Sequence, residues 1–122
     1  MASYNRVELI GNLGNDPEMR YTTGGTPTTY FPVATNYVHT TQEGERKQET
    51  EWFYVVTWNK LAEQCNQFLA KGSLVFVEGR QRTRTWEDTE GHPHQRTGLI
   101  ATRVIFLDKR GNGQSEEETS PF

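Results

Sequence analysis

EWFYVVTW, residues 51–58, runs without interruption into NKLAEQCNQFLAKG, residues 59–72, and the change of pattern between them decides the fold. The first segment is rich in aromatic and β-branched residues, which favour a strand. The second segment spaces four apolar residues as one stripe along a helix: Leu61, Cys65, Phe68 and Leu69. We expect that helix over residues 59–71, with Asn59 as its N-cap and Gly72 at the C′ position.

Further strands flank this strand–helix unit on both sides. Alternation of apolar and polar residues predicts two strands before it and two after it: 4–13, 28–37, 73–86 and 97–107. Pro32 cannot donate a ladder hydrogen bond, so it predicts a sheet edge or a bulge in the second strand. The polar segments 39–49 and 87–95 are expected to be loops. Three strands, a helix and two strands follow the order of the OB-fold, an all-β, five-stranded Greek-key barrel with a helix between strands three and four.

Length and charge limit how the chain is organised. A chain of 122 residues is expected to hold one domain, here residues 1–107, followed by a flexible tail over residues 108–122. The first 110 residues carry 13 basic and 13 acidic side chains, so the net charge of -3 comes from three tail residues: Glu116, Glu117 and Glu118. A neutral body is no general polyanion binder. Nucleic-acid binding would need cations gathered on one face, or base stacking.

The cysteine content and the hydropathy pattern favour a cytoplasmic protein. The single cysteine, Cys65, has no partner for an internal disulfide, which fits a reducing compartment. The N-terminus has no apolar signal-type segment, and no apolar run approaches the ~18 residues that span a membrane. We therefore expect no association with a membrane.

The two faces of the predicted third strand differ in a way that a core alone does not explain. Side chains alternate along a strand, so Phe53, Val55 and Thr57 share one face. The opposite face holds three large rings and a valine: Trp52, Tyr54, Val56 and Trp58. Because large aromatic side chains are usually buried, the alternative is that these rings fill the barrel or a subunit interface.

The predicted fourth strand adds a row of cations. Spacing by two places four residues on one face: Arg80, Arg82, Arg84 and Trp86. A core cannot hold three unpaired arginines, so the alternative is a solvated face paired with glutamates across the sheet. Guanidinium groups bind phosphates and aromatic rings stack on bases, which is the combination that a single-stranded nucleic acid requires. Together the two strands predict nucleic-acid binding.

Four blocks of the chain resemble the bacterial single-stranded DNA-binding proteins. In order they are NRVELIGNLGNDPEMRY (5–21), TEWFYVVTWNKLAE (50–63), KGSLVFVEG (71–79) and RTRTW (82–86). The resemblance covers about residues 3–107. It implies an OB-fold homotetramer, associated with the bacterial nucleoid, that wraps and protects single-stranded DNA during replication, recombination and repair. It implies no catalysis and no cofactor.

The resemblance also implies roles for individual residues. Trp52, Trp58 and Trp86 fall on the family's base-stacking positions, and Tyr54 on the same strand face, with Tyr37 and His39 at the end of the second strand, completes the predicted stacking set. Arg82 and Arg84 match the family's phosphate-contacting positions, and Arg80 and Lys60 complete the predicted phosphate-binding set. The family often has an aromatic residue where this chain has His39. Phe76 and Glu78 lie where such proteins pair dimers into tetramers.

The last residues, EEETSPF over 116–122, resemble the acidic tip with which the family docks replication and repair proteins. The implied docking residues are Glu116, Glu117, Glu118, Pro121 and Phe122. Two features depart from the family. About eight residues, 108–115, replace a long linker, and Ser120 stands where an aliphatic residue is usual. The alternative is a frayed acidic end without a role.

Other functions have weaker support in the sequence. His92, His94 and Cys65 are conceivable zinc ligands, but their positions lack the spacing of a metal site. We therefore expect no metal. The glycines of residues 11–14 and 24–25 lack the strand–loop–helix context of a phosphate-binding loop. The open rivals are an OB-fold protein that prefers RNA and a small metal-dependent nuclease, although no catalytic set of residues stands out.

Overall fold

The strands of the protein follow the alternating segments of the sequence, and the helix follows the segment with helical spacing. The computed structural model describes residues 2–108. Their elements are β1 (Val7–Leu13), β2 (Glu18–Tyr21), β3 (Pro27–Thr40), β4 (Arg46–Trp58), α1 (Asn59–Phe68), β5 (Leu74–Glu87) and β6 (Pro93–Phe106). The predicted tail lies outside the described residues apart from Asp108, so a domain boundary at residue 107 stays a prediction.

The strands form one sheet that closes on itself. Its order is β1-β5-β6-β4-β3-β2, and β1 also pairs with β3, through Leu13 opposite Val33. The pairing of β4 with β6 is parallel, and the other strand pairings among residues 2–108 are antiparallel. Five strands close the barrel, with α1 between β4 and β5, so the predicted OB-fold is confirmed. The short strand β2 was not predicted, because its four residues pair with β3 alone and bury little.

Pro32 occupies a gap between two strand partners rather than an edge or a bulge. The register of β3 with β4 is unbroken through Pro32, which lies opposite Tyr54. On the other side of β3, pairing with β2 stops at Tyr30 and pairing with β1 starts at Val33. The Pro32 carbonyl accepts a hydrogen bond from the Gly14 N–H on that side, at 3.0 Å. The missing N–H of the proline therefore faces the gap and costs no ladder bond.

Inward-facing side chains of the strands and one side of the helix fill the barrel. The buried apolar set is Leu9, Leu13, Phe31, Val33, Val55, Cys65, Leu69, Val75, Val77, Leu99 and Ala101. Each large member contributes about 1.5–3 kcal/mol of burial free energy. Buried threonines join helix and sheet, since Thr29 Oγ1 donates to the Ala62 carbonyl at 2.7 Å and Thr57 Oγ1 to the Thr29 carbonyl at 3.0 Å. These paired hydroxyls fix α1 against the sheet without an unsatisfied buried group.

Both ends of the helix differ from the prediction. Trp58, with extended backbone, is the N-cap residue, and no side chain caps this end. Asn59 has a φ of 60°, which asparagine tolerates better than most residues, so it makes the sharp strand-to-helix junction. The helix ends at Phe68, and Gly72, with a φ of 93°, lies in the turn that follows. The assignments of Asn59 as N-cap and of Gly72 as C′ residue were therefore wrong.

The buried stripe of the helix also differs. Its inward residues are Ala62 and Cys65, continued by Leu69 just beyond the last turn. Phe68 is 58% exposed and lies beside Phe106, with ring centroids 6.0 Å apart. The helix ends at Phe68 and the backbone of Leu69 is extended, so Leu69 turns into the barrel while Phe68 stays at the surface. The prediction that Phe68 belongs to the buried stripe was wrong.

Two long hairpins extend beyond the filled part of the barrel. Strands β3 and β4 stay paired out to Thr40 opposite Arg46, and β5 and β6 out to Glu87 opposite Pro93. The predicted loops were therefore too long, because half of their residues continue the strands. We call residues 36–50 the β3–β4 arm and residues 82–98 the β5–β6 arm. Nearly all side chains on both faces of these arms are exposed.

Candidate nucleic-acid interface

The outer face of β5 and β6 carries most of the predicted cations. Antiparallel pairing places Arg82 opposite Gly98, Arg84 opposite Arg96, and Trp86 opposite His94. Directly paired residues share one face of a sheet, so these side chains form a single surface. The predicted row of β5 thus acquires Arg96 and His94 from β6. The sequence alone does not place either residue on this face, because the polar composition of residues 87–95 predicts a loop and the register of β5 with β6 is not a local pattern.

These arginines have no acidic partner among the described residues. Within residues 2–108, arginine ion pairs involve Arg6, Arg20 and Arg103. The unpaired arginines of the β5–β6 face are Arg80, Arg82, Arg84 and Arg96. The alternative of a stripe neutralised by glutamates across the sheet is therefore wrong for this part of the chain. Like charges directly opposite each other, as at Arg84 and Arg96, destabilise a sheet, so an anion bound between them would relieve that repulsion.

A groove with a volume of about 510 Å³ runs beside these arginines. Its lining side chains come from five strands: Arg20, Tyr30, Tyr54, Val56, Arg82, Arg84, Trp86, Arg96 and Ile100, with Gly98 at its floor. The surface therefore combines several cations with three aromatic rings and a little apolar area. We call these residues the arginine–aromatic groove.

Two tyrosines form the centre of the arginine–aromatic groove. The ring centroids of Tyr30 and Tyr54 are 5.9 Å apart, and their planes are tilted by 30°. The Arg96 guanidinium lies 4.6 Å from the Tyr54 centroid, and that of Arg20 lies 5.8 Å from the Tyr30 centroid. Cation–π attraction holds these guanidinium groups over the rings, at the mouth of the groove. No local sequence pattern marks Tyr30 and Arg20, because Tyr30 reaches the site through the pairing of β3 with β4 and Arg20 through that of β2 with β3.

The three tryptophans are exposed and do not fill the barrel. The exposed fractions are 58% for Trp52, 38% for Trp58 and 46% for Trp86. Trp52 and Trp58 share the face of β4 that carries Tyr54, as the alternation predicts. The Trp52 ring occupies the space where a side chain on Gly14 would be, because a Cβ there would lie 2.4 Å from the ring. Trp86 stacks on His94, with centroids 5.5 Å apart and an interplanar angle of 20°.

The remaining predicted contacts lie apart from the groove. The rings of Tyr37 and His39 stack on each other, with their centroids 5.6 Å apart. They lie on one face of β3, whereas Ala34, which is paired with Trp52, lies on the other face. Arg80 lines a smaller cavity with Tyr4, Arg6 and Glu78. Lys60 is exposed in the first turn of α1. The structure therefore brings together four of the predicted residues in the groove, namely Tyr54, Arg82, Arg84 and Trp86.

Comparison with known proteins agrees with this geometry. The model of the single-strand binding protein family matches residues 4–107. The chain belongs to that family. A single-stranded DNA-binding protein of Caldanaerobacter subterraneus subsp. tengcongensis is 45% identical over 117 residues, which cover 93% of this chain and 77% of the relative. Single-stranded DNA-binding protein 1 of Xylella fastidiosa is 43% identical over 111 residues, covering 90% and 82% of the two chains.

A solved structure supports the same assignment. The Plasmodium falciparum SSB in complex with ssDNA superposes with a TM-score of 0.82 at 31% sequence identity, covering 88% of this chain and 98% of the other. The family resemblance of the sequence is thereby confirmed. In the family member described here, no helix within residues 2–108 is long and apolar enough to cross a membrane. The tip residues 116–122 lie outside the described part of the chain.

A second surface on β5 carries the two predicted interface residues. Phe76 lies between Ile10 of β1 and Ile105 of β6, and together they form a partly exposed apolar strip on the outside of the barrel. Glu78 borders this strip and binds two arginines, at 2.7 Å from Arg6 Nη2 and 3.8 Å from Arg103 Nη1. The cations beside Phe76 are thus neutralised, unlike Arg82, Arg84 and Arg96 of the groove.

The conceivable zinc ligands lie in different parts of the protein. Cys65 is fully buried in the barrel, and burial raises the pKa of its thiol to about 12. His92 and His94 are at the exposed end of the β5–β6 arm. Residues 2–108 contain no group of three or more side chains suited to holding a metal ion. The cysteine therefore belongs to the core and does not join the histidines.

Proposed function

We propose that this chain is a non-catalytic protein that binds single-stranded DNA without sequence preference, using the arginine–aromatic groove and the exposed tryptophans. The observation that carries the proposal is the set of unpaired arginines beside exposed rings on one face. Bases stack on any aromatic ring, since every base has a π-face, and each stacked base contributes about 1–3 kcal/mol. Guanidinium groups bind the phosphates between those bases, and their contribution weakens as salt rises.

Within this site, arginines and aromatic side chains have different roles. Arg82, Arg84 and Arg96 lie where they would contact the backbone of the strand. Trp86 offers a face to a base, Tyr54 carries the Arg96 guanidinium over its ring, and Trp52 and Trp58 extend the stacking surface along β4. In a DNA duplex the bases are paired and stacked on one another, so their faces are not accessible to these rings. The site therefore favours single strands over double strands.

A binding competition tests this function. A fluorescent dT oligonucleotide bound to the full chain is challenged with unlabelled single-stranded DNA, duplex DNA and RNA of matched length. Single-stranded DNA of any base composition should displace the label best. Equal displacement by RNA would favour an RNA-binding OB-fold protein, and degradation of the labelled strand on adding Mg²⁺ or Mn²⁺ would favour a nuclease.

The apolar strip around Phe76 supports a second proposal, assembly into a homotetramer. Phe76, Ile10 and Ile105 expose apolar area that a partner copy would cover, and Glu78 with its arginine partners forms a polar border. Light scattering at micromolar concentration should give four times the chain mass of 14.0 kDa. A stable monomer would contradict the tetramer, and a Phe76→Asp chain should dissociate if this strip is the contact.

The C-terminal tip supports a third proposal, recruitment of replication and repair proteins. Pro121 and Phe122 offer an apolar surface and an aromatic ring, and Glu116 to Glu118 suit a basic rim. About eight linker residues reach at most ~28 Å, so partners must dock close to the barrel. Deleting Pro121 and Phe122 should leave ssDNA affinity almost unchanged and abolish capture of those proteins. Unchanged capture by the truncated chain would show that the tip has no docking role.

A further inference from the structure

The turn that ends the β5–β6 arm fixes one carboxylate very firmly. Asp88 Oδ1 accepts hydrogen bonds from the backbone N–H groups of Glu90 and His92, both at 2.9 Å. Asp88 Oδ2 then accepts from Nε2 of His94, also at 2.9 Å. The same oxygen lies 3.5 Å from Nδ1 of His92. One side chain thus ties the turn backbone to the imidazole of His94.

The His94 imidazole in turn covers one face of Trp86. Their ring centroids are 5.5 Å apart and the planes are nearly parallel, at 20°. Trp86 and His94 are also direct partners in the β5–β6 ladder. A chain of contacts therefore runs from the turn through Asp88 and His94 to the indole. The indole also lines the arginine–aromatic groove.

We propose that Asp88 and His94 position the Trp86 indole for base stacking, and that protonation of His94 strengthens the binding of single-stranded DNA. This inference rests on the proposed function of the groove. A protonated imidazole binds both the Asp88 carboxylate and the indole face more strongly, so the platform is held in its binding geometry. It also adds a positive charge beside the phosphates of a bound strand.

The charges that face His94 come from three parts of the arm. Asp88, in the turn, favours the charged imidazole. Arg84 on β5 and Arg96 on β6 lie next along the same face and oppose it. Glu90 and His92 belong to the turn itself, where Nδ1 of His92 is 3.5 Å from the Asp88 oxygen that binds His94 and 3.7 Å from Glu90 Oε1. The hydrogen bond from His94, followed by the backbone bonds of the turn, holds the pKa of Asp88 below its ordinary value, so its carboxylate stays ionised over the pH range of the test.

The test measures affinity of the full chain for a labelled dT oligonucleotide from pH 5.5 to 8.5 at constant ionic strength. Wild-type affinity should rise about two- to five-fold toward pH 5.5, the size of an exposed cation–π contact. His94→Phe keeps a ring on Trp86 but carries no proton, so it should remove this rise. Asp88→Asn keeps the Oδ1 bonds of the turn and loses the carboxylate, so it should weaken the rise and lower the fluorescence anisotropy of Trp86.

Two matched controls identify the histidine that acts. His92→Ala removes an imidazole that also approaches Asp88 but does not stack on Trp86, and His39→Ala removes the histidine of the other arm. Both should keep the pH response. A flat wild-type profile, or a response that survives His94→Phe and disappears in a control, would overturn the inference while leaving ssDNA binding itself intact. Failure of every protein to bind at any pH would instead contradict the proposed function.

Discussion

The two arms of the barrel are built alike and differ chiefly in the charges that surround their exposed rings. Each carries an exposed ring stacked on a histidine whose other side meets a carboxylate. On the β5–β6 arm these are Trp86, His94 and Asp88, with Nε2 of His94 2.9 Å from the carboxylate. On the β3–β4 arm they are Tyr37, His39 and Glu49, with a corresponding distance of 3.3 Å.

The difference lies in the charges that share a face with each ring. Trp86 shares its face with Arg82, Arg84 and Arg96, which have no acidic partners within residues 2–108. Tyr37 is paired with Glu49, and Glu51 follows on the same face, with Lys47 as the cation there. An acidic face repels phosphates, so an exposed ring on it makes a poor base platform. We therefore expect Trp86, and not Tyr37, to serve as a base platform.

Charge reversal should give the largest difference in ssDNA affinity between the two arms. Arg84→Glu with Arg96→Glu removes two charge-assisted phosphate contacts, which should weaken ssDNA binding by about 3–6 kcal/mol. The matched change on the other arm, Lys47→Glu, should alter affinity by at most about 0.5 kcal/mol. Fluorescence anisotropy with a labelled oligonucleotide measures both. An equal loss from both variants would remove the distinction between the arms.

Truncation of the rings should give the next largest difference. Trp86→Ala should weaken binding by about 1–3 kcal/mol, and so should Trp52→Ala and Trp58→Ala, because each removes a stacking surface. Tyr37→Ala should stay within about 0.5 kcal/mol of wild type. Thermal melts should show all four proteins folded, since these rings lie outside the core. Wild-type affinity in all three tryptophan variants would refute the stacking assignment.

A single phosphate contact should be visible in the salt dependence. Removing one contact flattens the slope of log affinity against log salt by about 0.7 for a single strand. We expect that change for Arg84→Ala, and no change for Lys47→Ala. Titrations over a range of NaCl concentrations measure the slopes. An unchanged slope for Arg84→Ala would place that residue outside the interface.

The turns of the two arms should differ slightly in their stability at low pH. In the β5–β6 turn the ionised Asp88 accepts the His92 N–H, while in the β3–β4 turn the neutral Thr41 hydroxyl accepts the Glu45 N–H at 3.2 Å. The pKa of Asp88 is lowered from 3.8, chiefly by the bond from His94, so its stabilising effect is present above that value and is lost as pH falls through the lowered pKa. Hydrogen-exchange protection of His92 should then drop while that of Glu45 persists. Equal loss at both turns would contradict this assignment.

The sequence predicts the barrel well because alternation and helical spacing are local signals. Residues 51–71 show both patterns, and they place the strand, the helix and the tryptophan face correctly. The ends of the helix were missed because the φ of Asn59 and the direction of Phe68 are set by how the helix packs on the barrel. No local pattern marks them.

The groove could be predicted only in part, because it depends on which strands become neighbours. Arg82, Arg84 and Trp86 lie on one strand, so their spacing by two residues predicts that they share a face. Arg96 joins them through the register of β5 with β6, and Tyr30 through that of β3 with β4. Both registers depend on residues far apart in the sequence, so no local pattern predicts them. The predicted stackers Tyr37 and His39 show the converse, since their residue types suit stacking but their face carries glutamates.

One measurement tests the central claim, that the arginine–aromatic groove of the β5–β6 arm holds the bound strand. A chain with Trp52→Phe and Trp58→Phe keeps an aromatic ring at both positions and leaves Trp86 as its only tryptophan. Titrated with poly(dT), its fluorescence should be quenched in a saturable way, with the quenching reversed by high salt. If an independent label reports binding while the Trp86 emission stays unchanged, the strand does not contact the groove and the account is wrong.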